Sequence, residues 1–152
     1  LLGFRRALLR AGLTLPDSRV AAGDFSQASG YRAACRLLET AGSDGLDGIF
    51  AANDQMAAGA CHALREKGLA IPGDIRLVGY DNTFIASIVR PSLTTIDVPK
   101  TEMGRLAASC LIERAEGRTG LAGPRAMRLP AKLVVRETTD PDAEPDWALF
   151  DW

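Results

Sequence analysis

The sequence predicts an α/β domain in which a parallel sheet carries helices on both faces. Short apolar runs alternate along the chain with longer segments whose apolar residues recur at the spacing of a buried helix face. Strands that alternate with helices are typical of βαβ units and of parallel sheets. A chain of 152 residues is long enough for one such domain with a substantial core.

The clearest strand–helix unit turns on Asn53 and Asp54. The apolar run 49–52 predicts a buried strand, and a helix follows it until Gly68. The apolar face of this helix consists of Met56, Ala57, Ala60, Cys61 and Leu64. Asn53 is a favourable N-cap, and Asp54 lies where the helix dipole favours a negative charge. Both polar residues could act only as caps, or they could also bind a ligand.

The remaining elements follow the same two patterns. We expect further helices at 1–11, 27–41 and 99–116, each followed by a glycine that can end it. The stripe of the last helix would be Met103, Leu106, Ala107, Cys110 and Leu111. Extended segments are predicted at 19–23, 75–80, 93–96 and 128–138, and a short mixed segment at 83–89. The Gly-rich stretch 117–124 is a predicted loop.

Composition narrows the classes of function. The 18 basic and 19 acidic residues give a net charge of −1, so nucleic-acid or membrane binding by this segment has no electrostatic support. No apolar run approaches the roughly 20 residues of a membrane-spanning helix, and no signal peptide is recognisable. Because the chain begins inside a predicted helix, without an initiator Met, we expect it to be part of a longer protein.

The cysteines indicate neither disulfides nor a metal site. Cys35, Cys61 and Cys110 are odd in number and far apart, and no C-x-x-C occurs. Each has apolar neighbours at helical spacing, which predicts buried thiols in a reducing compartment. His62 directly follows Cys61, and adjacent helical residues point in different directions, so the two do not form a nucleophile pair. We therefore expect no metal and no cofactor.

Polar residues follow three of the predicted strands, as Asp24-Phe25, Asn53-Asp54 and Asp81-Asn82. The carboxyl ends of parallel strands lie on one edge of a sheet, so these side chains should converge although the pairs are roughly 30 residues apart. Carboxylates accept hydrogen bonds from hydroxyls, a carboxamide donates and accepts, and an aromatic ring covers the C–H face of a sugar. This set suits a sugar-like or polyol ligand.

An enzyme remains an alternative, because clustered carboxylates could also hold Mg²⁺ for phosphoryl transfer. The sequence gives it less support, since no Lys, Ser or Thr is placed with the carboxylates at a predicted strand end. A G-x-G-x-x-G motif, a P-loop and a suitably placed general-base His are also absent. We therefore predict a binding protein and assign no catalytic residue.

Several motifs, in this order, resemble those of the lactose-repressor-type (LacI/GalR) transcription regulators. They are Gly23-Asp24-Phe25-Ser26 with Ser29-Gly30-Tyr31, Ala52-Asn53-Asp54-Gln55-Met56-Ala57 with Gly59, Val78-Gly79-Tyr80-Asp81-Asn82, Pro91-Ser92-Leu93-Thr94-Thr95-Ile96, Met103-Gly104 and Leu133-Val134-Val135-Arg136-Glu137-Thr138. The resemblance runs from Gly3 to Thr138, which is nearly the whole chain. Each motif alone is weak, but the ordered set is highly specific.

The resemblance implies a periplasmic-binding-protein-like (type I) effector domain, truncated at its N-terminus, with a ligand cleft between two α/β subdomains. It implies that Phe25 stacks on the effector ring and that Asn53 and Asp81 hydrogen-bond its hydroxyls. These residues lie at the strand ends that the topology already indicated. The expected effector is a sugar or a nucleoside-like molecule. An effector-binding Arg of the family would fall immediately before Leu1.

The resemblance also implies a division of the chain. Residues 1–96 and the return strand 129–139 would form the C-terminal subdomain, and 97–128 would contribute a helix and loop to the N-terminal subdomain. Thr95, Ile96 and Asp97 would form the hinge between them. Residues 140–152 would be an acidic tail.

Two kinds of partner are implied as well. Ala58, Ile85 and Val89 would face the second subunit of a homodimer, although ordinary core packing explains such apolar residues equally well. Operator DNA would be bound by a helix-turn-helix outside these residues, and effector binding would alter its affinity for the operator. The location would be cytoplasmic, with no membrane contact.

A solute-binding protein of a sugar ABC transporter is the alternative, because it shares the fold and the cleft. The Leu-Thr-Thr hinge sequence, the Val-Val-Arg-Glu-Thr ending and the absence of a disulfide pattern favour the regulator.

Overall fold

Helices alternate with short strands along most of the chain. A computed structural model describes residues 1–42, 45–117 and 126–142. The helices are α1 (Leu2–Arg10), α2 (Gln27–Ala41), α3 (Asp54–Glu66), α4 (Phe84–Ile88) and α5 (Lys100–Ala115). The strands are β1 (Gly48–Phe50), β2 (Arg76–Val78), β3 (Thr95–Asp97) and β4 (Lys132–Val134). The predicted helices are thus confirmed, and the mixed segment 83–89 contains the short helix α4.

The strands follow the predicted α/β arrangement. β1 pairs with β2 in parallel, and single parallel bridges extend β2 toward β3, from Val78 to Thr94 and from Asp81 to Asp97. β4 joins β3 in the antiparallel direction. Residues 136–138 lie beyond β4, where the Thr138 carbonyl accepts from the Leu77 N–H and the Thr138 N–H donates to the Ser92 carbonyl. The return segment therefore lies next to β2 and to the segment that precedes β3.

The core lies around α3, because this helix carries its small and apolar residues inward. The whole predicted stripe is buried, from Met56 to Leu64. Helices α2 and α3 cross at two glycines, where a Cβ on Gly30 would lie 2.1 Å from the Met56 carbonyl oxygen and a Cβ on Gly59 would lie 1.9 Å from the Gln27 carbonyl oxygen. Only a residue without a side chain allows the two backbones to approach so closely.

Three expectations from the sequence fail in part. The strand predicted at 19–23 is wrong: a 3-10 turn covers Asp17–Arg19, and the extended Val20 that follows it belongs to none of the described strands. Helix α5 buries none of its own residues against the described chain, so its predicted stripe is not packed. Of the three thiols, Cys61 is buried and burial raises its pKa, whereas Cys35 and Cys110 are half-buried.

No described helix combines the length and the apolar character that a membrane span requires.

Replacing Gly59 with Ala tests the close helix crossing. The added methyl group would overlap the Gln27 carbonyl oxygen, so we expect the free energy of unfolding to fall by about 1–3 kcal/mol. Urea denaturation followed by circular dichroism measures this change. Gly104→Ala in α5 is the matched control, because nothing lies within 4 Å of its added Cβ and alanine favours a helix by up to about 1 kcal/mol. Equal unfolding midpoints for the two variants would contradict the assigned crossing.

Candidate functional site

The site is assembled from the turns that follow β1 and β2 and from the segment before α2. Asn53 connects two of these segments through one carboxamide. Its Oδ1 accepts a hydrogen bond of 2.8 Å from the Met56 N–H, which caps α3. Its Nδ2 donates to the Phe25 carbonyl at 3.0 Å. The capping prediction for Asn53 is therefore confirmed, and the structure brings Phe25 and Asn53 together, although the strand predicted to precede Phe25 is absent from the described residues.

Phe25 has a backbone conformation that side chains rarely adopt. Its φ angle is 66°, in the left-handed region, and its ring is 64% exposed. The preceding Asp24 is engaged within its own turn, where the Ser26 hydroxyl and then the Ser29 hydroxyl lower the pKa of its carboxyl group to about 2. Phe25 is thus held by its backbone and leaves an aromatic face accessible beside Asn53.

Asp54 is the buried centre of the site. Its side chain is almost completely buried, and its backbone N–H donates to the Tyr80 carbonyl at 2.9 Å. One carboxylate oxygen accepts from the Thr83 N–H at 2.6 Å and the Thr83 hydroxyl at 3.0 Å. The other accepts from the Thr95 hydroxyl at 2.6 Å. These bonds bind the start of α3 to the turn after β2 and to β3, so Asp54 has a structural role.

The turn after β2 contains two consecutive residues with positive φ, Asp81 at 99° and Asn82 at 48°. Such conformations in residues other than glycine cost about 1–3 kcal/mol each and persist only where the surroundings fix them. The Asp81 N–H donates to the Ile96 carbonyl at 3.0 Å, and the Asn82 N–H donates to the Thr95 hydroxyl at 3.3 Å. Both bonds reach residues of the predicted hinge.

The Asn82 side chain adds two further bonds to the turn. Its Nδ2 donates to an Asp97 carboxylate oxygen at 3.1 Å, and its Oδ1 accepts from the Arg136 guanidinium at 2.9 Å. Arg136 is itself almost completely buried and also donates to the Leu93 carbonyl at 2.9 Å. Asn82 thereby joins the turn to β3 and to the return segment.

The Asp81 carboxylate differs from the other polar groups of this turn. It is half-buried, and within the described ranges no hydrogen-bond donor or cation is bonded to it. The backbone that carries it is fixed, whereas its two oxygens remain available to bind a ligand.

Sequence reasoning missed four residues of this site: Thr83, Lys100, Asn82 in its positioning role, and Arg136. Thr83 and Lys100 also overturn the reason given against a magnesium site, because a Thr and a Lys do lie beside the carboxylates at the end of β2. Asp54 is nevertheless fully engaged by hydroxyl and amide donors. Among the described residues, no group of three His, Cys, Asp or Glu side chains could hold a metal ion.

The residues predicted to face a second subunit offer little surface. Ala58 is 6% exposed, and Ile85 and Val89 are half-buried, with Val89 packed against the core. Ile88, which lies on α4 with Ile85, is 50% exposed. The apolar surface of this region is therefore larger at Ile88 than at the three predicted residues.

An open depression with a volume of about 670 Å³ lies away from the strand ends, across α2 and α3. Gln27, Ala28, Tyr31, Arg32, Gly59 and His62 line it. Tyr31 donates to Glu66 at 2.5 Å, and this bond raises the pKa of Tyr31 to about 12. None of the residues predicted to bind the effector contributes to this depression.

Comparisons with known proteins agree with this geometry. The family profile of the periplasmic binding protein-like domain matches residues 1–139. The HTH-type transcriptional regulator CelR of Thermobifida fusca is 38% identical over 136 residues, which cover 90% of this chain and 39% of that protein. The chain belongs to the LacI/GalR family.

Solved structures of LacI/GalR regulators share the fold. The structure of the transcriptional regulator CelR–cellobiose complex matches with a TM-score of 0.84 and 38% identity, covering 90% of this chain and 40% of that one. The lac repressor dimer bound to operator and the anti-inducer ONPF matches with a TM-score of 0.78 and 34% identity, covering 91% and 40%. These relatives are regulators rather than enzymes. The chain spans about two fifths of their length.

Replacing Asn53 separates its two bonds. Asn53→Ala removes both the cap of α3 and the hydrogen bond to the Phe25 carbonyl. We therefore expect the free energy of unfolding to fall by about 1–2 kcal/mol. Asn53→Asp keeps a capping oxygen but cannot donate to the Phe25 carbonyl. Its free energy of unfolding should therefore fall less than that of Asn53→Ala. Urea denaturation of the ligand-free protein measures both changes. Gln55→Ala, at an exposed neighbouring position of α3, is the control, and an Asn53→Ala variant as stable as this control would contradict the capping role.

Proposed function

We propose that this chain is the effector-sensing region of a bacterial transcription regulator and that its ligand is a sugar-like molecule bound at the ends of β1 and β2. One observation carries the proposal: the unengaged Asp81 carboxylate belongs to a left-handed turn after β2, and Asn53, which is bonded to Phe25, follows the neighbouring parallel strand β1. A carboxylate that accepts from hydroxyls, a carboxamide and an exposed ring form a set suited to a polyol.

The role of each residue follows from its surroundings. Asp81 would accept hydrogen bonds from adjacent hydroxyls of the effector. Asn53 has one N–H and one acceptor lone pair left after its two structural bonds, so it could also bind a hydroxyl. Phe25 would cover the apolar face of the ring.

The signal would reach DNA through movement of two lobes. Residues 1–96 with 129–139 would form one lobe and 97–128 part of the other, with Thr95, Ile96 and Asp97 as the hinge. The hinge residues already bond to the ligand turn, which supports this layout. An effector that binds more tightly to the closed cleft would shift the equilibrium between the lobe positions. This shift would change the affinity of a helix-turn-helix elsewhere in the protein for its operator.

This function implies a cytoplasmic location and a homodimer. CelR and the lac repressor are transcription regulators, and the latter forms a dimer on its operator, which favours a regulator over the solute-binding protein of a transporter. The gene sequence upstream of the Leu1 codon decides between them. A helix-turn-helix there supports the regulator, and a signal peptide would refute it.

The Asp81→Asn variant tests the ligand site. Asparagine tolerates left-handed backbone and keeps an acceptor, but it loses the charge, so we expect affinity for the effector to fall by about 1.5 kcal/mol, roughly tenfold. Calorimetric titration of the full chain with cellobiose, D-ribose and adenosine identifies the ligand class. The melting temperature should stay unchanged, because the carboxylate has no partner among the described residues. Equal affinity of variant and wild type would refute the site.

The proposed dimer surface is tested at Ile88, which together with Phe84 is one of two exposed apolar residues of α4. We expect Ile88→Glu to weaken self-association at least roughly tenfold, because a charge would be buried in the interface. Sedimentation velocity over a range of protein concentrations measures the dissociation constant. Leu9→Glu, at a position of α1 that is 69% exposed, is the control and should leave the dimer intact. If both variants sediment like wild type, α4 is not part of the interface.

A further inference from the structure

The first residue of α5 reaches back across the hinge to the ligand turn. The Lys100 ammonium donates to the Asp81 carbonyl and lies 3.4 Å from the carbonyl oxygens of both Asn82 and Val98. It is also 3.9 Å from the Asp97 carboxylate. Four oxygens from two segments of the chain therefore surround one ammonium group.

This arrangement differs from an ordinary surface ion pair. A flexible lysine loses considerable rotamer freedom when it is held in place, and one exposed partner gives little in return. Here two of the acceptors are the carbonyls of Asp81 and Asn82, the two residues with positive φ. A charged donor that engages both carbonyls stabilises the strained turn in a way that a neutral side chain could not.

The position of Lys100 makes this contact a link between two parts of the molecule. Helix α5 buries none of its own residues against the described chain, so it has few other attachments there. The Asp81–Asn82 turn, in contrast, is fixed to β3 and to Arg136. The ammonium thus joins a well-anchored turn of the proposed ligand site to the first turn of the helix beyond the proposed hinge.

We propose that Lys100 is a positioning residue that fastens the Asp81–Asn82 turn to α5, so that movement of α5 is passed to the backbone that carries the Asp81 carboxylate. The proposal rests on the proposed function for its biological meaning. It deepens that function by naming the contact through which the two lobes and the ligand site would affect each other.

Hydrogen–deuterium exchange of the full chain tests the link without any ligand. In Lys100→Met we expect exchange to accelerate roughly tenfold in peptides that cover 80–83 and 99–103, as for the loss of a charged hydrogen bond. Exchange in α3 and the melting temperature should not change, whereas a general structural role would alter both. Lys100→Arg keeps a charged donor and should largely restore the wild-type pattern. Lys67→Met, at an exposed position, removes the same charge elsewhere and should match wild type.

Binding supplies the second readout, with cellobiose, D-ribose and adenosine as the probes. We expect Lys100→Met to weaken the binding of whichever probe the wild type binds by roughly tenfold, and Lys67→Met to leave it unchanged. Unchanged exchange at 80–83 in Lys100→Met would overturn the link. Accelerated exchange in a protein that binds none of the probes would support the link and count against the proposed function alone.

Discussion

The site depends on one buried carboxylate, that of Asp54. Burying an ionised group is costly unless every oxygen is hydrogen-bonded. Asp54 meets this condition with the Thr83 amide, the Thr83 hydroxyl and the Thr95 hydroxyl, at the N-terminal end of α3 where the helix dipole favours a negative charge. The residue that follows β2 must also be a glycine, because a Cβ on Gly79 would lie 2.4 Å from the Asp54 carboxylate. Helix α3, the turn after β2 and strand β3 therefore have fixed relative positions.

That fixed frame explains how the turn at Asp81 and Asn82 can persist. Two consecutive residues with positive φ together cost about 2–6 kcal/mol, and Asp54 holds the residue that follows them. Hydrogen bonds from Asn82 to Asp97 and from Arg136 to Asn82 hold the turn from the other side. The result is a carboxylate presented on rigid backbone. A ligand that binds there would lose little affinity to the entropic cost of ordering the protein.

Local patterns explain which parts of this arrangement could be predicted from the sequence. The cap at Asn53, the buried stripe of α3 and the polar residues at strand ends are all encoded within a few residues. Asn53 and Phe25 do lie together, but the strand from which that contact was predicted is absent from the described residues. The contact between Asn82 and Arg136 joins residues 54 positions apart and leaves no local signal. The predicted strand at 19–23 failed for a related reason, since an extended pattern says nothing about a neighbouring strand.

The distinction between surface and core was equally hard to predict. Ala58 is a small residue on a helix whose buried side also consists largely of small residues, and tertiary packing buries it. Composition cannot show which apolar residue of a helix remains exposed, because that depends on the elements that pack against it. The same limit applies to α5, whose apolar stripe is not buried by the described residues.

The proposed ligand site and the proposed hinge share hydrogen bonds, and this has a thermodynamic consequence. The Thr95 hydroxyl donates to Asp54 and accepts from the Asn82 amide, so one residue of the proposed hinge also holds the proposed ligand turn. If the hinge changes its geometry, the bonds that fix the ligand turn must change with it. Coupling of this kind is reciprocal: an effector that stabilises the turn must favour one hinge geometry to the same extent that this geometry favours the effector. In the proposed sensor the ligand would therefore need no separate path to the lobes, because the same few side chains would form the binding turn and the hinge.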